Sequence, residues 1–199
     1  MQTYEKNKNM KKIIFLSVVV VLGLIIVLFV ISNIEDLSKI DNNIDEELVD
    51  DVIVNSFDEC LLAGFAVMES YPRQCRTDDG ELFVEDIGNE LEKADLIRID
   101  NPRPNQEIQS PLAINGEARG YWFFEGDFPI ELINSDGEII VQGVATAKTE
   151  WMTEDFVQFE TLLEFEKPEN NRGTLILRKD NPSGLPENED ALEIPVVFK

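Results

Sequence analysis

The hydrophobic pattern of the chain falls into three textures. The first is an unbroken apolar run at residues 13–31, IIFLSVVVVLGLIIVLFVI, in which only Ser17 and Gly23 interrupt the large apolar side chains. At about 1.5 Å of rise per residue, a run of this length spans the ~30 Å hydrocarbon core of a bilayer. It predicts a single transmembrane helix, since backbone polar groups in lipid must pair within the segment. The second texture, over 32–55, is polar. Ile34, Leu37, Ile40, Ile44, Leu48 and Val52 recur every three or four positions, as on one stripe of a helix. Asp41 and Asp51 break a heptad. The third texture is short apolar stretches separated by turn residues. It begins near residue 97 and predicts strands at 97–100, 112–118, 128–134, 138–147, 157–165, 174–178 and 192–198. The last alternates cleanly, with Leu192, Ile194, Val196 and Phe198 on one face, and Pro195 suits an edge position.

Between the second and third textures lies a small unit at 56–87. Ser56 followed by Glu59 is a capping-box pattern, with Phe57, Leu61 and Cys60 supplying an apolar side and Gly64 a stop. Short extended pieces follow, and Asp79-Gly80 signals a hairpin before 82–84. Residues 88–96 form a polar connection. The chain is therefore divided into a basic tail (1–12), a transmembrane helix (13–31), an acidic stalk (32–55), a small α+β module (56–87), a linker (88–96) and a β-sandwich of immunoglobulin-like size (97–199). The fold class is mainly β.

Charge changes the picture by giving it a direction. The net charge is −23 over 199 residues, but residues 1–32 carry four lysines against one glutamate, and residues 33–199 carry 13 bases against 39 acids. The basic flank places the N-terminus in the cytoplasm and residues 33–199 outside it, as a single-pass protein of the cell membrane. A cleaved signal peptide is the alternative. Its apolar region would be about 7–15 residues, and only Val30-Ile31-Ser32 offers a cleavage site. Both readings export residues 33–199. The stalk reads as a self-repelling spacer, with pairing of two stalks into a homodimer as the alternative.

Composition also excludes chemistry. The chain has no histidine and two cysteines, which removes serine triads, cysteine–histidine dyads and the usual zinc sites. A pI near 4.2 argues against nucleic acid, whose phosphates need clustered Lys and Arg. Cys60 and Cys75 both lie in the exported part, where a disulfide is the natural staple; two free thiols or half a metal site are the alternatives. Neither a catalytic residue nor a metal ligand set is expected. No cofactor is expected, calcium at the Asp180-Asn181-Pro182-Ser183-Gly184 loop being a weak exception. Turn formation explains the same letters without an ion.

In the last hundred residues the motifs come in a definite order: Asn101-Pro102-Arg103-Pro104-Asn105-Gln106, Ser110-Pro111-Leu112, Asn115-Gly116-Glu117-Ala118, Trp122-Phe123-Phe124-Glu125, Trp151, Phe159-Glu160 and Asp180 to Pro186. Residues 97–199 thereby resemble the immunoglobulin-like domain family of bacterial sporulation and spore germination proteins. The resemblance implies an extracytoplasmic interaction domain with no established catalytic residues; it does not imply sporulation.

Candidate partner-binding residues are Arg119, Trp122, Phe123, Phe124, Asp180, Asn181 and Ser183. Each has a structural reading beside it: an internal ion pair for Arg119, core packing for the aromatics, and a turn for the loop residues. The expected function is a membrane-anchored binding protein of the bacterial cell envelope, whose partner is an envelope protein or a cell-wall glycan. A regulator or inhibitor of an envelope enzyme is the alternative, and a carboxylate-based glycan hydrolase a weaker one.

Overall fold

A computed structural model describes residues 53–199. The expected tail, transmembrane segment and nearly all of the stalk lie outside the described residues. No helix among the described residues is long and apolar enough to cross a membrane. Residues from Val54 to Lys199 form one unit.

The unit opens on helix α1 (Phe57–Leu62). Ser56 caps it, its hydroxyl accepting the Glu59 N–H at 3.2 Å. The Glu59 carboxylate reaches back to the Asn55 N–H at 2.7 Å, one residue earlier than a standard capping box. Gly64, at φ +81°, ends the helix. Its N–H donates to the Leu61 carbonyl and that of Phe65 to the Cys60 carbonyl, the paired bonds of a Schellman stop. Phe57 and Cys60 are buried, whereas Leu61 is exposed, so the apolar side is narrower than the sequence pattern predicts.

Strands β1 (Ala66–Met68), β2 (Gln74–Arg76) and β3 (Leu82–Val84) form an antiparallel sheet beside α1. The predicted turn closes β2 onto β3, with the Gly80 N–H donating to the Thr77 carbonyl at 3.0 Å. Cys60 and Cys75 form a disulfide. It lies in a core of its own with Val54 and Phe57, against which Phe65, Val67 and Phe83 pack.

All seven predicted strands are present: β4 (Ile97–Asn101), β6 (Leu112–Arg119), β7 (Asp127–Asn134), β8 (Ile139–Ala147), β9 (Phe156–Leu163), β10 (Arg172–Arg178) and β11 (Ala191–Phe198). An eighth, β5 (Glu107–Ile108), is only two residues long and has no alternation to betray it. The strands join in the order β4-β6-β9-β8-β7-β10-β11-β5. Only two residue pairs, Thr146 with Glu160 and Ala147 with Phe159, link β8 to β9. The sheet turns over at this joint, and its two halves face each other across one core. Ile97, Ile99, Ile114 and Phe159 enter that core from one half, Phe128, Ile130, Leu175 and Ile194 from the other. Phe128 meets Phe159 edge-on across it, centroids 5.0 Å apart.

Pro195 does not lie on an outermost strand, because β5 pairs in parallel beyond β11 at Val197 and Phe198. Proline survives there because β5 begins only after it. The outer side of Pro195 uses its carbonyl alone, which accepts the Asn105 N–H at 2.7 Å. The linker is likewise not a free connection. It contains helix α2 (Glu90–Lys93). Asn89 lies along β11, its side chain bonding the Ala191 carbonyl and the Glu193 N–H.

Candidate functional site

Strand register brings three loops to one end of the β domain. Arg119 faces Phe156, Asp127 faces Thr146, and Arg178 faces Ala191. The β6–β7, β8–β9 and β10–β11 loops therefore emerge together. Backbone bonds tie them: the Gly120 N–H donates to the Asp155 carbonyl at 3.1 Å, and the Asp180 N–H to the Trp122 carbonyl at 3.0 Å.

The β6–β7 loop begins with a 3₁₀ turn, Gly120–Trp122. Glycine is required at its start, since a Cβ at position 120 would lie 2.0 Å from the Thr153 carbonyl oxygen and 2.2 Å from that of Trp151. After the turn, Phe124 and Asp127 exchange both backbone hydrogen bonds, at 3.0 and 3.1 Å. Glu125 and Gly126 between them have φ of +53° and +87°, the pattern of a two-residue type I′ hairpin. The aromatic run is thus a turn and a hairpin, not the continuous strand on which alternate side chains would point to opposite faces. Trp122 (0% exposed) and Phe123 (4%) both enter the core, and Phe124 (43%) alone of the three projects. Trp122 and Phe123 offer no side-chain surface to a partner.

Among the described residues Arg119 makes no ion pair. Its guanidinium donates to the backbone carbonyls of Asp95 and Glu154, at 3.0 and 3.2 Å. The group lies 4.0 Å above the Phe156 ring. Those bonds hold loop backbone together and use two of its five N–H donors. In the β10–β11 loop, Asn181 accepts from the Ser183 hydroxyl and donates to the Leu185 carbonyl, and the Ser183 oxygen accepts from the Asn188 amide. The loop is a turn closed on itself, with the amide oxygen of Asn181 already used. Asp180 lines an open cavity of about 500 Å³ beside it, with Pro129, Lys179 and Asp190. Among the described residues, no cluster of three acidic or cysteine side chains has the spacing to hold a metal ion.

Sequence reasoning missed three exposed residues at this end. Tyr121 (50% exposed), Met152 (73%) and Leu185 (49%) join Phe124 as large apolar side chains in solvent. A signal was present, since each lies within the turn-rich loops. A loop apolar residue cannot be told from a core one by periodicity, which loops lack.

A second polar constellation, at the seam between the cysteine module and the β domain, belongs to the Asn101–Gln106 motif. Arg103 pairs with Glu90 at 2.7 Å and donates to the Tyr71 hydroxyl at 2.9 Å, and that hydroxyl donates to Glu90. The Asn105 amide donates to the Asp86 carbonyl at 2.7 Å and reaches Glu85 at 3.3 Å. Glu85 in turn takes two bonds from Arg73, at 2.6 and 2.9 Å. Both glutamates are 8% exposed, but they titrate in opposite directions. The Arg73 hydrogen bond holds Glu85 below its ordinary range. Burial raises Glu90 above it, more than Arg103 lowers it.

The sign of each effect follows from linkage. Glu85 contributes stability above the ordinary carboxylate range, and the contribution is lost as pH falls through its depressed pKa. Glu90 does the reverse: the folded state binds its proton more tightly, so stability is gained as pH falls through its raised pKa. Glu85→Gln is expected to cost about 1–2 kcal/mol at neutral pH, a difference that vanishes in acid. Glu90→Gln should leave neutral-pH stability unchanged or higher. Urea midpoints of both variants at a series of pH values from 7 downward check the pair.

Residues 96–185 match the family model described as the immunoglobulin-like domain of bacterial spore germination. Over this stretch the β domain is similar to that family. The matched stretch covers the β6–β7 and β8–β9 loops and the β10–β11 loop as far as Leu185, and ends before β11. Comparison with curated proteins found no match, and neither did comparison with solved structures. That family is not an enzyme family, and the similarity suggests an interaction role.

Proposed function

We propose that the chain is a membrane-anchored, extracytoplasmic interaction protein of the bacterial cell envelope, and that the loop end of its β domain contacts the partner. One observation carries the reading: Tyr121, Phe124, Met152 and Leu185 stand exposed on loops whose backbones are bonded together. Aromatic and methionine side chains are enriched in interface cores, and sandwich loops commonly carry recognition. Phe124 is the central anchor, held at the base of a tight hairpin that limits the entropy lost on binding. The apolar run at 13–31 and the asymmetric charge support the anchor and its orientation. The acidic surface disfavours direct attachment to anionic wall polymers, so an envelope protein is the favoured partner.

A photo-reactive residue at position 124 or 152 tests this in intact cells. Covalent adducts with one envelope protein are expected from both positions, and none from Asp100, which is exposed on the outer strand β4 beside the middle of β6. Phe124→Ala should weaken capture of that protein at least tenfold without moving the unfolding midpoint. Hydrolysis of peptidoglycan fragments by the full-length chain would overturn the reading, as would adducts that form equally well from position 100.

A further inference from the structure

The sheet has a second feature that the loop end does not use. Its outer edges are treated very differently. The outer side of β11 is covered along its length: Asn89 meets Ala191 and Glu193, Asn105 meets Pro195, and β5 meets Val197 and Phe198. The free side of β4 carries Arg98 and Asp100 and runs into Pro102. These are the devices that keep edges from pairing with other chains.

β8 lacks the cover, the charges and the proline, and its one irregularity is the extra residue Ile140 on the side facing β7. Its sequence, IIVQGVATA, contains no charge and no proline. One side pairs with β7, but the other meets β9 only at Thr146 and Ala147. From Ile139 to Ala145 the second side is open among the described residues, a length of about 20 Å at ~3.4 Å per residue. Ile139 and Val144 are exposed there. Where β8 and β9 diverge they leave a groove of about 550 Å³, floored by Ile140, Val141 and Phe165 and flanked by Glu164 and Glu166.

We propose that this edge docks an extended, basic segment of a partner protein as an added strand. Main-chain bonds to β8 supply the register, alternate side chains enter the groove, and basic residues face the acids beside it. Charge selects the occupant. Glu164 and Glu166 are exposed in the groove wall, and Glu138 is exposed just before β8. Residues 53–199 carry 31 acids against 12 bases, so two copies meeting edge to edge repel each other while a basic segment is attracted. This surface lies at the opposite end of the domain from Phe124, and the inference does not depend on the loop-end reading.

The probe is a labelled ten-residue peptide alternating lysine and valine, titrated into the full-length chain. A peptide with glutamate in place of lysine is the control. The lysine peptide is expected to bind, to slow amide hydrogen exchange at 139–145, and to bind at least tenfold more weakly to the doubly substituted chain Glu164→Lys, Glu166→Lys. Both glutamates are exposed, so that chain should keep its unfolding midpoint. Equal binding of the glutamate peptide overturns the proposal, as does binding that leaves exchange at 139–145 unchanged. Edge amides that are already slow in the free chain also overturn it. If they speed up on dilution the occupant is a second copy; if they do not, it is another part of the same chain.

Discussion

Trp122→Ala is expected to destabilise the β domain by about 3–5 kcal/mol, the range for truncating a fully buried aromatic side chain. Trp122 is wholly buried in the same core as Phe123 and Phe128, whose rings meet edge-on at 5.2 Å. Its indole N–H has no hydrogen-bond partner among the described residues. Trp122→Phe therefore loses volume but no hydrogen bond, and should cost only about 1–2 kcal/mol. Phe124→Ala, two positions on, removes an exposed ring and should shift stability by less than ~0.5 kcal/mol. Urea unfolding midpoints of the three variants give the comparison. A Trp122→Ala cost below that of Phe124→Ala would mean that the indole does not pack in the core.

This contrast also marks the limit of what the sequence discloses. Strands with an inner and an outer face were legible, because burial imposes a period of two that Leu192 to Phe198 displays openly. The disulfide, the Ser56 cap and the Asp79-Gly80 hairpin were legible from local chemistry. The Trp122-Phe123-Phe124 run could not be sorted into buried and exposed residues from its letters, because a 3₁₀ turn and a hairpin take the place of strand alternation. Its turn depends on Gly120 fitting beneath two carbonyls of the β8–β9 loop, more than thirty residues away in sequence. The same holds for Arg119, whose partners are backbone carbonyls that no residue pattern specifies. β5 was missed because a two-residue strand has no period, and Asn89 because a side chain imitating a strand looks like a loop. The Arg103 and Asn105 contacts show what the Asn101–Gln106 motif does in this chain: it fastens the β domain to the module before it.

Removing the staple of that module should have the most localised large effect. Replacing Cys60 and Cys75 together by alanine is expected to cost about 3 kcal/mol on the chain-entropy model for a loop of this length. The module has little else to rely on. Val54, Phe57 and the two cysteines form its small buried cluster, and its three strands are three residues each. A unit of that size cannot hold itself together on apolar burial alone. The β domain has a separate core to which neither cysteine contributes. Its unfolding should therefore persist as a distinct cooperative transition. Limited proteolysis resolves the two: cleavage should appear within 57–84 while 97–199 stays resistant. Arg103 and Asn105 would lose their partners across the seam, but Asn105 would still bond Pro195 within the β domain. If protection instead falls across 97–199 at the same rate, the seam contacts couple the two units into one cooperative fold, and the disulfide stabilises both.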